Sequence, residues 1–105
     1  MEKYKEIFRL KKMLEDANIP FEFKKQLDGY IVIIYNKNKS RLCDAREHRG
    51  SYGCEKDLLE IMGALTDKER QDDDVLGHLT AEEVFKRFKY CYEHNTSIYV
   101  DEEGD

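Results

Sequence analysis

Residues 30–35, YIVIIY, are the most β-prone run in the chain and constrain the fold more than any other segment. Four consecutive aliphatics ask for burial on both faces of a strand, which predicts a central position in a sheet. Asp28-Gly29, just before them, predicts a hairpin, because a tight turn needs positive φ. FEFKKQ, residues 21–26, supplies the partner strand, with Phe21 and Phe23 on one face. NKNKS at 36–40 is a polar turn. RLCDARE at 41–47 can return as a third strand. Its apolar alternation is poor, which predicts an edge position whose charges discourage edge-to-edge pairing.

Helical spacing surrounds this β region. Tyr4, Ile7, Phe8, Leu10, Leu14 and Ala17 recur every three or four residues and predict a helix over 3–17, stopped by Asn18 and Pro20. HRGSYG at 48–53 is a loop with two glycines. Leu58, Leu59, Ile61, Met62 and Leu65 make an apolar stripe that predicts a second helix over 55–65, with Gly63 permitting a close helix approach. Thr66-Asp67-Lys68-Glu69 has the capping-box pattern of a further short turn. Val84, Phe85, Phe88, Cys91 and Tyr92 predict a long helix over 80–94. Ser97–Val100 is a candidate short strand, and the acidic end, 101–105, is expected to fray.

The expected architecture is therefore α+β in one domain, residues 1–105. An N-terminal helix leads into a small antiparallel sheet of two or three strands. Two or three helices follow and pack on one face.

Charge is unevenly distributed. Residues 1–53 carry twelve Lys and Arg against eight Asp and Glu, whereas residues 54–105 carry six against fifteen. Such a split suggests a polarised molecule if the halves form separate faces. No window approaches the ~18 apolar residues of a membrane span. The charged N-terminus lacks the apolar stretch of a signal peptide. Cys43, Cys54 and Cys91 form no CxxC pair and fit free thiols in a reducing cytoplasm.

Residues 72–83, DDDVLGHLTAEE, bear two readings. One is a calcium loop, with Asp72, Asp74, Thr80 and Glu83 at ligand positions 1, 3, 9 and 12 and Gly77 at position 6. Leu76 at position 5 removes a ligand, and the preceding residues lack the apolar positions of an entering helix. The other reading is an acidic loop feeding a capped helix. Thr80 and Glu83 form a capping box, Leu79 packs on Val84, and Glu82 and Glu83 complement the helix dipole.

A second cluster joins Arg41, Arg46, His48, Arg49 and Tyr52 near a helix start. It suggests contact with phosphate or nucleic acid through Arg41, Arg46, Arg49 and Tyr52. The net charge of −5 works against general DNA binding. His48, Cys43, Cys54 and His94 match no common zinc spacing, and no residue set forms a nucleophile with its base. No metal, cofactor or enzymatic activity is implied.

Residues 51–89, SYGCEKDLLEIMGALTDKERQDDDVLGHLTAEEVFKRFK, resemble a segment of small uncharacterised proteins encoded by phages and prophages of Gram-positive bacteria. LLEIMG…LT and VLGHLTAEEVFKR carry the likeness, and the opening helix with NIPFEF extends it over most of the chain. The resemblance implies a phage accessory protein made in the bacterial cytoplasm. The resemblance carries no activity and no site residues; the charge split and the lack of a catalytic pattern lead to the expectation of protein–protein interaction, with Asp72, Asp73, Asp74, Glu82 and Glu83 turned to a basic partner.

Overall fold

The computed structural model describes residues 3–101. Its frame is an antiparallel meander of five strands, with neighbours in chain order: β1 (Glu22–Gln26), β2 (Gly29–Tyr35), β3 (Arg41–Glu47), β4 (Leu59–Met62) and β5 (Val75–Leu79). Helix α1 (Glu6–Asp16) precedes the sheet, a short α2 (Asp67–Asp72) joins β4 to β5, and α3 (Ala81–His94) follows. The α+β character, the strands at β1 and β2 and the helices at α1 and α3 match the expectation. The expected sheet of two or three strands is corrected to five.

The largest correction lies at 55–65. It holds a single turn of 3-10 helix, Cys54–Lys56, and then β4. Asp57, Gly63 and Ala64 all have positive φ, which an α-helix cannot accommodate. Leu59 and Ile61 are two apart and both fully buried, so the apolar run follows the strand period rather than the helical one. Gly63 does serve a close approach, but to a strand: an added Cβ would lie 2.4 Å from the Leu42 carbonyl oxygen of β3.

β3 is not an edge but the middle strand, paired to β2 and β4. It tolerates burial because Asp44 lies between Arg46 (2.9 Å) and Arg41 (3.3 Å). VLGHL, expected within an acidic loop, is β5, and it pairs with β4 across a bulge. The β1–β2 turn takes its positive φ at Leu27 (53°) instead of Gly29. Gly29 is required for another reason: a Cβ there would sit 1.8 Å from the Glu47 carbonyl oxygen. Residues 97–100 make only one parallel bridge, Ile98 to Leu65, so no strand forms there. Of the tail expected to fray, residues 102–105 lie outside the described residues.

The two long helices cover one sheet face. Ile7, Leu10 and Leu14 of α1 and Val84, Phe88 and Cys91 of α3 share a buried cluster with Val32, Ile34, Cys43, Ala45, Leu59 and Ile61. Ile31 and Ile33 alternate to the opposite face, where their cross-strand neighbours are Lys24 and Arg46, and Glu22 and Asp44. Both isoleucines are nonetheless buried. Long charged side chains laid along apolar surface exclude water in this way. Among the described residues no helix is long and apolar enough to cross a membrane.

Candidate interaction surface

Most carboxylates of this acidic chain have a structural assignment. The first turn of α1 lacks a local side-chain cap. Asp57 Oδ1 instead accepts from the amides of Lys5 (2.8 Å) and Glu6 (3.2 Å), and Glu47 Oε1 accepts from Ile7 (3.1 Å). Glu6 in turn accepts from the Ala81 amide at the start of α3 (3.0 Å). Free amides at helix starts need acceptors, so these distant carboxylates do what a local cap does elsewhere.

Glu47 is fully buried. Burial, together with its hydrogen bond to Asp57, pushes its carboxyl up to about 9. Its Oε2 has no hydrogen-bond partner among the described residues, and a buried carboxyl so placed favours the neutral, protonated form. Burial also works to raise Asp57, but the Glu47 hydrogen bond and the Glu6 and Lys5 amides outweigh it and hold Asp57 below its usual range. The Arg49 amide, opposed in part by burial and helped by Tyr4 and Lys3, holds Asp28 well below the carboxylate range.

Further acids are engaged in the same way. Glu69 closes a capping box with Thr66 and meets Arg87 through two bonds of 2.8 and 2.9 Å. Glu83 closes the capping box on Thr80, as the sequence pattern predicts. Glu82 is paired with Arg9 of α1. Of the five carboxylates expected to face a partner, Glu82 and Glu83 therefore have partners within the chain.

Asp72, Asp73 and Asp74 stand apart from them. All three are exposed where α2 runs into β5. Asp73 Oδ1 accepts from the Val75 amide (3.2 Å), while Asp72 and Asp74 have no ion pair or side-chain hydrogen bond among the described residues. Asp74 also lines a surface hollow of about 390 Å³ with Asp67, Arg70 and Gln71. The strand these aspartates introduce is the last in the sheet, so its outer side has no strand partner among the described residues. Five residues containing Gly77 and His78 are too short an apolar run to separate from a loop, so the sequence alone does not mark this edge strand.

The alternative sites are dispersed. β5 lies between Asp72–Asp74 and Thr80–Glu83 and separates them by roughly 15 Å of extended chain, so the calcium ligands do not converge. No group of three or more His, Cys, Asp or Glu is placed to hold a metal among the described residues. Arg41 and Arg46 both turn to Asp44 on the sheet face, and Arg46 lies 3.7 Å from Glu60. Arg49 and Tyr52 are exposed on the loop beyond the far end of β3, roughly 20 Å from Arg41. Cys43 and Cys91 are buried in the core, and burial pushes the Cys91 thiol up to about 11.

One further hollow, of about 450 Å³, runs along the outer side of α3 past Phe85, Tyr90 and Tyr99. Tyr90 stacks on His94 at 4.0 Å and meets Tyr99 edge-on. These aromatic rings pack on one another and close the rim of the core.

Comparison with known proteins gives no match: no family model fits the chain, and neither the curated proteins nor the solved structures contain a similar one.

Proposed function

We propose that this chain is a small, non-enzymatic phage or prophage accessory protein that acts in the bacterial cytoplasm by binding a protein partner. The working surface is the acidic end of the sheet, Asp72–Asp74, offered to a basic surface of that partner. The observation that carries this reading is the contrast among carboxylates. Glu6, Glu47, Asp57, Glu69, Glu82 and Glu83 are committed to helix caps and internal ion pairs, whereas Asp72 and Asp74 are exposed and have no ion pair among the described residues, beside an open sheet edge.

Like charges clustered without counterions cost stability, and a cationic partner surface relieves that repulsion. The non-enzymatic part has its own support. The carboxyls shifted from their ordinary range at Glu47 and Asp28, and Asp57 held below it, are used for capping and turn formation, and none lines a surface hollow described above. The phage context rests on the resemblance of residues 51–89.

The test is cross-linking of the tagged chain in a Gram-positive host, with the captured protein identified and the linked residues mapped. Links should concentrate at residues 67–76, and the triple change D72N/D73N/D74N should abolish capture. Capture unchanged by that variant, with links elsewhere, would overturn the acidic-end reading.

A further inference from the structure

We propose that the outer edge of β5 takes an extended, lysine- or arginine-bearing segment of the partner as a sixth strand. This rests on the acidic-end reading above and adds the partner's conformation and chemistry.

The two edges of the sheet differ. β1, at one edge, exposes Lys24 and Lys25, which repel a cationic strand. β5, at the other, is entered through Asp72, Asp73 and Asp74. An added strand gains main-chain hydrogen bonds whatever its sequence, and side-chain chemistry then selects which strand is accepted. Here the selecting chemistry is positive charge at the end of the added strand that lies beside the aspartates.

The backbone marks how far the added strand can reach. His78 has φ 62°, and its amide turns to the Tyr52 carbonyl at 3.4 Å, so pairing ends there. Val75, Leu76 and Gly77 remain, with Val75 and Leu76 half-buried. The Val75 amide already donates to a carboxylate oxygen, Asp73 Oδ1, at 3.2 Å. A carbonyl of an incoming strand can supply that acceptor in its place. When the strand arrives, its carbonyl replaces Asp73 on the Val75 amide, and the released carboxylate meets the partner's cation. Beyond the start of the strand, the hollow lined by Asp67, Arg70, Gln71 and Asp74 can seat a long basic side chain. Arg70 opposes it there, but two carboxylates, Asp67 and Asp74, line the same hollow.

The experiment titrates the full chain, followed by amide NMR, with three synthetic peptides of equal charge and about eight residues. One alternates Lys and Thr, one is the same peptide N-methylated at alternate residues, and one alternates Lys and Pro. The Lys–Thr peptide should shift the amides of Val75–Gly77 and bind about tenfold or more tightly than either of the others. D72N/D73N/D74N should weaken it by a similar factor and flatten its salt dependence. Equal binding of all three peptides would overturn strand addition while leaving the acidic-end reading intact. Absence of binding by any of them would sink both. Self-association that excludes the Lys–Thr peptide would assign the edge to a second copy of the chain and overturn the proposal.

Discussion

The carboxyls of Glu47, buried at the end of β3, and Asp57 sit together at the start of α1, where they accept the amides of Lys5, Glu6 and Ile7. One proton on Glu47 lets two acids share a buried site, since two charges there would repel. The pair is therefore both a cap and a source of pH dependence.

For Glu47 the sign of that dependence is set by a folded pKa of about 9 against an ordinary 4.5. Between these values the unfolded chain has lost a proton that the folded chain keeps, so stability falls as pH rises, by at most about 1.4 kcal/mol per unit. Glu47→Gln retains an acceptor for Ile7 and a donor for Asp57 without a titrating proton. The variant should match or exceed the parent in stability at pH 5, and its advantage should widen toward pH 9. Urea unfolding at several pH values reads this directly. Parallel stability profiles for the two proteins would mean that Glu47 does not carry the proton.

Asp57 acts in the opposite sense. Its folded pKa lies below the ordinary 3.8, so its contribution is present above about pH 4 and is lost as pH falls through the lower folded value. Asp57→Ala removes the acceptor for two helix amides and leaves alanine at φ 56°. The expected loss is about 2 kcal/mol, from a missing cap and a strained backbone together. Asp57→Asn keeps an acceptor and suits that backbone, so it should lose clearly less. Thermal melts of the two variants at pH 7 test the ordering; equal losses would assign the effect to charge rather than capping.

The same pair shows why parts of this molecule were not legible in the sequence. Asp57 lies 52 residues from the amide of Lys5 and Glu47 lies 40 from that of Ile7, so no local pattern announces either cap. The caps of α2 and α3 are local, Thr66 to Glu69 and Thr80 to Glu83, and both were readable. Residues 30–35 declared themselves by four aliphatics in a row, and α1 by its stripe. β4 did not, because Leu58, Leu59, Ile61, Met62 and Leu65 fit a helical period as well as a strand within so short a run. Left-handed Asp57, Gly63 and Ala64 decide the matter, and neither Asp57 nor Ala64 announces that conformation by its residue type as a glycine does. RLCDARE alternates poorly in apolar residues and so reads as an edge strand, with Asp44 and Arg46 interrupting its pattern. Those two charges satisfy each other on one face of the same strand, which makes a central position affordable. The acidic-end residues were found as composition, but their relation to an open strand edge could be seen only once β5 was recognised.

Two glycines should respond very differently to the same small change. Gly29→Ala places a methyl group 1.8 Å from the Glu47 carbonyl oxygen, where backbone rather than a flexible side chain must move. A loss of about 3 kcal/mol or more, or failure to fold, is expected, on the scale of severe overpacking. Gly50→Ala meets only the His48 ring, at 3.4 Å, so it should lie within about 0.5 kcal/mol of the parent. Comparable melting temperatures for both variants would show that β2 and β3 can separate at Gly29 without cost.

Arg87 ties three parts of the chain together. It donates to both oxygens of Glu69 on α2 and to the Ala64 carbonyl, and its guanidinium lies 4.9 Å from the centre of the Tyr99 ring. A lysine there retains the charge but cannot span a carboxylate with two parallel bonds while holding a carbonyl as well. Arg87→Lys should therefore lose about 1–2 kcal/mol, despite its conserved charge. The loss should fall on a particular region, because α2 has no buried residues of its own and leans on this contact. Amide exchange should accelerate most at residues 67–73, with the centre of α3 changed only by the global loss. Uniform acceleration across the chain would refute the local strut and leave Arg87 as one more contributor to the core. Since α2 carries the aspartates into β5, the same variant should also blunt cationic peptide binding at the edge without removing a single acidic group.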